Sequence, residues 1–304
     1  MNQHTLNQSY TFKGKGLHTG AEVQMTILPA PENHGIVFQR TDLGREIFVE
    51  AVSTNIARTA RSTSLEKNGA EVITTEHLLA AMSGLGIDNA LIRLNSAELP
   101  ILDGSSRLYV DAFLADGLHR QSVERKYYTI DKPFHYKDEK SGSELIIEPS
   151  DELKICVEID YNSRVLGLQR AEYDSSVDFA KEIAPSRTFC FFHELEFLLN
   201  NNLIKGGDMD NAIVIVEHEV SEDVLNRMKV IFNVDNLERV PEGYLNNLKL
   251  HFPNECARHK LLDLIGDFAL LGKPIKANIF AKKSGHNINT TVVKTLISQS
   301  ILNI

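Results

Sequence analysis

Tryptophan is absent from this chain of 304 residues, cysteine occurs three times, and no run of 18 residues is both apolar and uncharged. The missing run leaves no candidate for a membrane-spanning helix. Cys156, Cys190 and Cys256 are odd in number, widely spaced and form no CxxC pair. They point to reduced thiols in a cytoplasmic protein, with neither a disulfide framework nor a cysteine metal knuckle. A bound metal would then draw most of its ligands from histidine and carboxylate. Positive charge is also scarce, with 32 Lys and Arg against 41 Asp and Glu and a formal charge of -9. Such a chain lacks the cationic surface that broad binding to nucleic acid or anionic lipid requires, so no nucleic-acid partner is expected. A few local cations could still hold a phosphorylated ligand. The segment Met1 to Tyr10 is polar, without an apolar signal region or an Arg-rich transit pattern, which agrees with a cytoplasmic expectation.

What is present is an ordinary globular balance, 42% hydrophobic and 24% charged, in a chain long enough for two domains. Strand-like and helical segments alternate, which points to an α/β or α+β layered fold. The order of segments repeats. In the first half Glu76-His77 opens a helical pattern ending at Gly84 and Gly86; a strand-like run Asn89–Leu94, a turn at Asp103-Gly104 and an amphipathic stretch Ser105–Leu114 follow. In the second half His259 opens a helix, followed by strand-like Ile275–Phe280, then Ser284-Gly285 and the stretch Asn287–Leu302. Arg61-Ser-Thr63 echoes Arg187-Thr-Phe189, and each half begins with hairpin-like strands, around Tyr10–Phe38 and Tyr127–Ile159. The expectation is two similar β/α domains, residues 1–124 and 125–304, joined near Gln121–Lys126, with ligands of one site drawn from both. The second carries an extra β-α-β insert at about 189–217, with a helical pattern over His193–Asn201, a Gly206-Gly207 turn and a strand-like Ala212–Val216. Additional core and a slot for an apolar ligand are both compatible with it.

The segment His259–Leu271 carries the clearest chemistry. At about 100° per residue, His259, Asp263, Gly266 and Asp267 share one stripe, opposite Leu261, Leu262, Leu264, Ile265, Phe268 and Leu271. His and Asp at i and i+4 can reach one ion. An HxxxD pair more often lies on a solvated face, so the pattern alone does not decide. His77 opens the other helix behind Thr74 or Thr75 as candidate N-caps, and Glu76 sits where the helix dipole favours a carboxylate. Such a carboxylate beside a metal site could serve as general base, or merely complement the dipole. His286, in a loop after Ser284-Gly285, could donate a proton with Asp267 as partner. Thr188 could stabilise an oxyanion or simply shape a turn.

In family order over nearly the whole chain stand Gly16-Leu-His-Thr-Gly20, Thr75-Glu-His77, Gly84-Leu-Gly-Ile-Asp-Asn89 and Leu99-Pro-Ile-Leu-Asp-Gly104. Ser186-Arg-Thr-Phe189, Gly206-Gly207, Asp210-Asn-Ala-Ile-Val214, Arg258-His-Lys260 with Asp263, Gly266-Asp267 and Ser284-Gly-His286 complete the set. Together they resemble the UDP-3-O-acyl-N-acetylglucosamine deacetylases, zinc amidases of bacterial lipid A synthesis. The resemblance implies two similar layered domains, each with an insert, and an active site between them. It implies zinc on His77, His259 and Asp263, with Fe(II) also suited to such ligands. Glu76 becomes the general base, His286 paired with Asp267 the cation that serves the leaving amine, and Thr188 an oxyanion donor. Lys260 is expected at the nucleotide phosphates, and Phe192, Leu195 and Gly207 along an apolar acyl passage, which favours the slot over plain core. Phe189, Leu17 and His18 join the expected substrate contacts.

Ser62 and Ser64 stand where several relatives carry cysteine near the metal mouth, and Asp160-Tyr-Asn162 lacks the His-Pro that often follows that segment. Some relatives continue into a fused dehydratase domain, which makes Ile304 a candidate boundary within a longer chain. The partner expected is a UDP-linked acylated amino sugar, met by a monomer whose contact with membranes is only through the lipid pathway it serves. The alternatives are a zinc amidase acting on another acylated amino sugar, or a non-catalytic nucleotide-sugar or lipid-binding module.

Overall fold

The computed structural model describes residues 1–302 apart from 45, 201–204, 209–210, 233, 236 and 239–241. Asp210, Asn201 and Ile304, named above, therefore lie outside the described residues. The α-helices described are α1 (Glu76–Leu85), α2 (Arg107–Asp116), α3 (Phe179–Glu182), α4 (Phe192–Asn200), α5 (Glu222–Phe232), α6 (Glu255–Phe268) and α7 (His286–Leu302). None is long and apolar enough to cross a membrane. Helices and mixed sheets in layers make this an α+β protein.

Each half is organised around one central strand. In the first, Ala90–Leu94 lies between the hairpin Tyr10–Lys15/Glu22–Pro29, to which it is antiparallel, and the hairpin Ile36–Arg40/Ile47–Glu50, which it meets in parallel. In the second, Ile275–Lys282 lies between Phe134–Asp138/Ser143–Pro149 and Lys154–Ile159/Gln169–Tyr173, with the same senses. Helices α1 and α2 bracket the first central strand in sequence, as α6 and α7 bracket the second. The period of two is plain in Ile275–Lys282. There Ile275, Ala277, Ile279 and Ala281 are buried, and Lys276, Asn278, Phe280 and Lys282 are half-exposed.

The helices sandwiched between the sheets are where the two halves meet, and α1 packs along α6. From Glu76 to Met82 every residue of α1 is buried, and in α6 all but Arg258 and Lys260 are buried. The solvated-face reading of the α6 stripe is thereby overturned, since both helical faces are covered. Polar groups on such a helix must find partners, because burying them bare costs several kcal/mol each, of order 2–7. The contact is close enough to need glycine. A Cβ at Gly266 would overlap the carbonyl oxygen of Glu76 and lie 2.9 Å from its carbon and 3.1 Å from its Cα.

Several local expectations need correction. Helix α6 begins at Glu255, so His259 sits in its second turn, and His286 is the first residue of α7 rather than a loop residue. Thr75 holds the N-cap position of α1 but makes no side-chain capping bond: its hydroxyl donates to the Thr63 carbonyl, and Thr74, at φ 61°, donates to Glu98. The segment expected as the join is largely strand, since Leu118–Glu124 pairs back onto Asn2–Leu6.

The insert is longer than the sequence suggested. Phe189–Phe191, α4 and Ile213–Val216 form the β-α-β unit, with the two strands parallel. It continues through α5 to Gly243–Tyr244, which adds an antiparallel third strand. A small separate core holds this unit together, with Leu195, Val214, Val216, Val220, Leu225 and Met228 among its buried members.

Candidate metal centre

The start of α1 and the second and third turns of α6 face one another, and each contributes polar side chains to one buried spot. His77, His259 and Asp263 offer atoms that all lie within 4.8 Å of one another. Asp263 Oδ1 is 3.4 Å from His259 Nε2 and 3.7 Å from His77 Nε2. His259 Nδ1 lies 3.0 Å from the Ser186 carbonyl, so this nitrogen carries the proton and donates it, leaving the Nε2 lone pair free. Burial and the neighbouring His259 lower His77 to about 3, and burial also lowers His259, so both imidazoles are neutral ligands at ordinary pH. Asp263 is buried, yet His259, Lys260 and His286 hold its carboxyl well below the usual carboxylate range. Its Oδ1 is nonetheless buried without a hydrogen-bond partner. An unpartnered carboxylate oxygen facing two free imidazole nitrogens is a donor set that fits a divalent cation, with room for a further ligand.

Beside this triplet stands a second polar group. Glu76 Oε2 accepts the Thr63 backbone N–H at 3.0 Å, and Glu76 Oε1 lies 3.8 Å from His286 Nε2. His286 Nδ1 is 3.0 Å from Asp267 Oδ2, and Nε2 is 3.9 Å from Asp263 Oδ2. Burial pushes Glu76 up to about 7, partly opposed by His286. Burial works against charge on His286, but Asp267, Asp263 and Glu76 together raise it to about 9. The geometry therefore sets a cationic imidazole opposite a carboxylate poised near neutrality, a usual arrangement for an acid–base pair. A cation on the three ligands would favour the ionised Glu76.

The remaining expected residues are placed as follows. Asp267 is fully buried and receives Asn289 Nδ2 at 2.9 Å and Thr63 Oγ1 at 2.5 Å in addition to His286. Thr188 is half-buried, with its N–H donating to the Gly104 carbonyl and its carbonyl accepting from Ile213 N–H, two residues past the Ser186 carbonyl that holds His259. Lys260 Nζ sits 2.7 Å from Asp263 Oδ2 and 5.4 Å from the Phe189 ring centre. Burial works against its charge, but Asp263, Tyr161 and Asp267 together outweigh it and keep the ammonium protonated. The structure thus gives Lys260 a place against the metal triplet that the sequence did not suggest. Phe189 also packs edge-on to His259 and Tyr161, and Tyr161 meets Phe191, so an aromatic wall adjoins the triplet. Leu195 is buried in the small core of the insert and Phe192 packs against it, while Gly207 is half-buried. Ser62 and Ser64 are both buried.

The loop from Gly16 to Gly20 joins the first half to the insert. Gly206 N–H donates to the Leu17 carbonyl, and a Cβ at Gly206 would overlap the Gly16 oxygen. His18 Nε2 is buried without a partner. What fixes this loop is a residue the sequence did not single out. Glu98, fully buried, accepts from His18 N–H, Thr19 N–H, Thr19 Oγ1 and Thr74 Oγ1 at 2.7–3.0 Å. Glu255 does the same for the other half. It takes two hydrogen bonds from the Arg187 side chain, one from Arg187 N–H and one from His251 N–H, and so fixes the run from Ser186 to Thr188. A carboxylate flanked by apolar residues, as in Ala97-Glu-Leu-Pro100, was the only available signal.

The family model described as LpxC: UDP-3-O-acyl N-acetylglycosamine deacetylase matches residues 3–232 and 237–298. The chain is 44% identical over 296 residues to the Bifunctional enzyme LpxC/FabZ of Bacteroides thetaiotaomicron, which covers 97% of this chain and 64% of that protein. It is 42% identical to the bifunctional enzyme of the same name from Porphyromonas gingivalis, again covering 97% of this chain and 64% of the relative. To the UDP-3-O-acyl-N-acetylglucosamine deacetylase of Syntrophotalea carbinolica it is 38% identical over 299 residues, 98% of this chain and 88% of that one. The chain thus spans under two thirds of the length of the bifunctional relatives.

Proposed function

The chain belongs to the UDP-3-O-acyl N-acetylglycosamine deacetylase family, and from that premise we propose that it hydrolyses the N-acetyl group of a UDP-3-O-(3-hydroxyacyl)-N-acetylglucosamine. The products are acetate and the free amine, and the reaction is the committed step of lipid A biosynthesis. The observation that carries the reading is the orphaned Oδ1 of Asp263 facing two neutral imidazoles, with Glu76 and His286 alongside. Binding alone has no need of an acid–base pair next to such a triplet.

His77, His259 and Asp263 are the proposed ligands of zinc, and Fe(II) suits them as well. When bound there, the ion supplies Lewis acidity to a water and to the scissile carbonyl. Glu76 takes a proton from the attacking water through a carboxylate oxygen as the new C–O bond forms. The Thr188 hydroxyl donates to the developing oxyanion. His286, held cationic by Asp267, delivers a proton from Nε2 to the amine nitrogen as the C–N bond breaks. Lys260 is proposed to offer its ammonium to the substrate phosphates. Phe189, Phe192, Leu195 and Gly207 are proposed along the acyl passage, and Leu17 and His18 at further substrate contacts. The unpartnered His18 Nε2 supports the last of these. The two β/α units, 1–124 and 125–304, are proposed to be copies of one ancestor, which the shared strand order supports. A monomeric, cytoplasmic enzyme completes the reading.

The deciding experiment measures acetate release from the acylated UDP-sugar before chelation, after chelation and after zinc is restored. Turnover should vanish with the metal and return with it. Equal turnover in all three samples refutes the metal mechanism, and no release in the untreated sample refutes the activity.

A further inference from the structure

Thr63 is fully buried and uses each of its polar atoms on the acid–base machinery or on the helix that carries it. Its backbone N–H donates to Glu76 Oε2 at 3.0 Å. Its hydroxyl donates to Asp267 Oδ1 at 2.5 Å, on the opposite half of the chain. Its carbonyl accepts from both the N–H and the hydroxyl of Thr75, which ties the 57–64 turn to the start of α1. The two oxygens of Asp267 are thereby divided. Oδ1 takes the Thr63 hydroxyl, and Oδ2 takes Asn289 Nδ2 and faces His286 Nδ1. A carboxylate that receives a donor on one oxygen has its plane fixed, and with it the direction in which the other oxygen points. Without the hydroxyl, Asp267 would keep its partners from α7 but lose the only described link to the residue that also holds Glu76.

We propose that Thr63 is a positioning residue for deacetylation. It joins Glu76 and Asp267 through two different atoms, so that the base and the His286 imidazole keep a fixed separation across the boundary between the halves. The inference rests on the deacetylase reading above. Outer partners of this kind commonly contribute about 10- to 100-fold to activity. The effect belongs in kcat, because Thr63 is fully buried and its polar atoms are all engaged by Glu76, Asp267 and Thr75.

The test uses two pairs of holoenzyme variants that differ by one hydroxyl: wild type against Thr63→Val, and Thr63→Ser against Thr63→Ala. Acetate release, zinc content and thermal unfolding are measured on all four. Within each pair the member lacking the hydroxyl should show kcat lower by about 10- to 100-fold, with KM within about twofold and zinc content unchanged. Thr63→Ser should recover most of the wild-type rate. The second pair decides alone if Thr63→Val does not unfold cooperatively, since Ser and Ala create the same loss of the methyl group. Equal kcat within a pair overturns the proposal, as does a loss confined to KM or one that tracks zinc content. A wild-type enzyme with no acetate release overturns the deacetylase reading and this inference together; an active wild type with an equally active valine variant overturns only the inference.

Discussion

Gly266→Ala tests the crossing of α1 and α6 on which the whole site depends. The new Cβ would overlap the Glu76 carbonyl oxygen and stand 2.9 and 3.1 Å from two further backbone atoms of that residue. Backbone cannot swing aside as the end of a side chain can. Restoring ordinary contact, about 3.5–4.0 Å between carbons, requires the start of α1 to move away from α6 by on the order of 1 Å. Overpacking of that kind typically costs about 1–3 kcal/mol, which for a chain of this size lowers Tm by about 2–5 °C. The chemical cost should be larger than the structural one. Glu76 and His77 both ride on the displaced turn, whereas His259, Asp263 and Asp267 ride on α6. A misplacement of about 1 Å between reacting groups can reduce turnover about 100-fold. Differential scanning calorimetry and acetate release on the purified variant measure both numbers, with zinc content as a third. A variant that melts within a degree or so of wild type and keeps most of its kcat refutes the argument that this contact sets the position of the base.

Other substitutions separate the roles of neighbouring groups. Glu76→Gln should reduce kcat by about 100-fold or more, the usual range for a general base being 10²–10⁴, while zinc content by atomic emission stays at the wild-type level. His259→Ala should do the opposite first, lowering zinc occupancy, and full occupancy in that variant would remove His259 from the ligand set. Glu255→Gln leaves the Arg187 guanidinium without its buried anion and should cost about 3 kcal/mol near neutral pH. Burial opposes charge on Glu255, but Arg187 and two backbone N–H groups hold its carboxyl below the usual value. The stabilisation it provides is therefore complete above the unfolded-state value of about 4.3 and is lost as pH falls through the lower folded value. Denaturant unfolding of the two proteins should show a constant gap from pH 8 to pH 5 that closes only below about pH 4.3. A gap that closes at neutral pH would contradict this assignment.

What the sequence made legible was local. The i, i+4 spacing of His259 and Asp263 shows in any helical projection, and α6 does place both on one side. Alternation along Ile275–Lys282 was equally plain. The direction that the α6 stripe faces was not, because it depends on α1 arriving from a segment almost 200 residues away. The roles that went unread share this cause. Thr63 meets Asp267 across 204 positions, Glu98 meets Thr19 across 79 and Glu255 meets Arg187 across 68. No window of sequence contains both partners of any such pair. Thr75 takes the N-cap position without a capping hydrogen bond for a related reason: the Thr63 carbonyl claims its hydroxyl, as the Glu98 carboxylate claims that of Thr74. Helix α5 and the strand Gly243–Tyr244 escaped because the polar composition of the stretch after Val216 read as the end of the insert, although its apolar positions close a core of their own.

The placement of Ile275–Lys282 has a consequence for how the molecule comes into being. During synthesis its neighbours Ser143–Pro149 and Lys154–Ile159 emerge more than a hundred residues earlier, and each lacks its inner partner until it arrives between them. The first sheet can close once Ala90–Leu94 has been made, so His77 waits on a nearly finished half for α6 to be delivered. A nascent chain therefore carries an open sheet edge until Ile275–Lys282 is made and an isolated histidine until α6 is made, the condition in which unpaired edges invite aggregation. His77, His259 and Asp263 all precede Ile275–Lys282, so the candidate metal set is complete in the chain before the strand that closes the second sheet has been made.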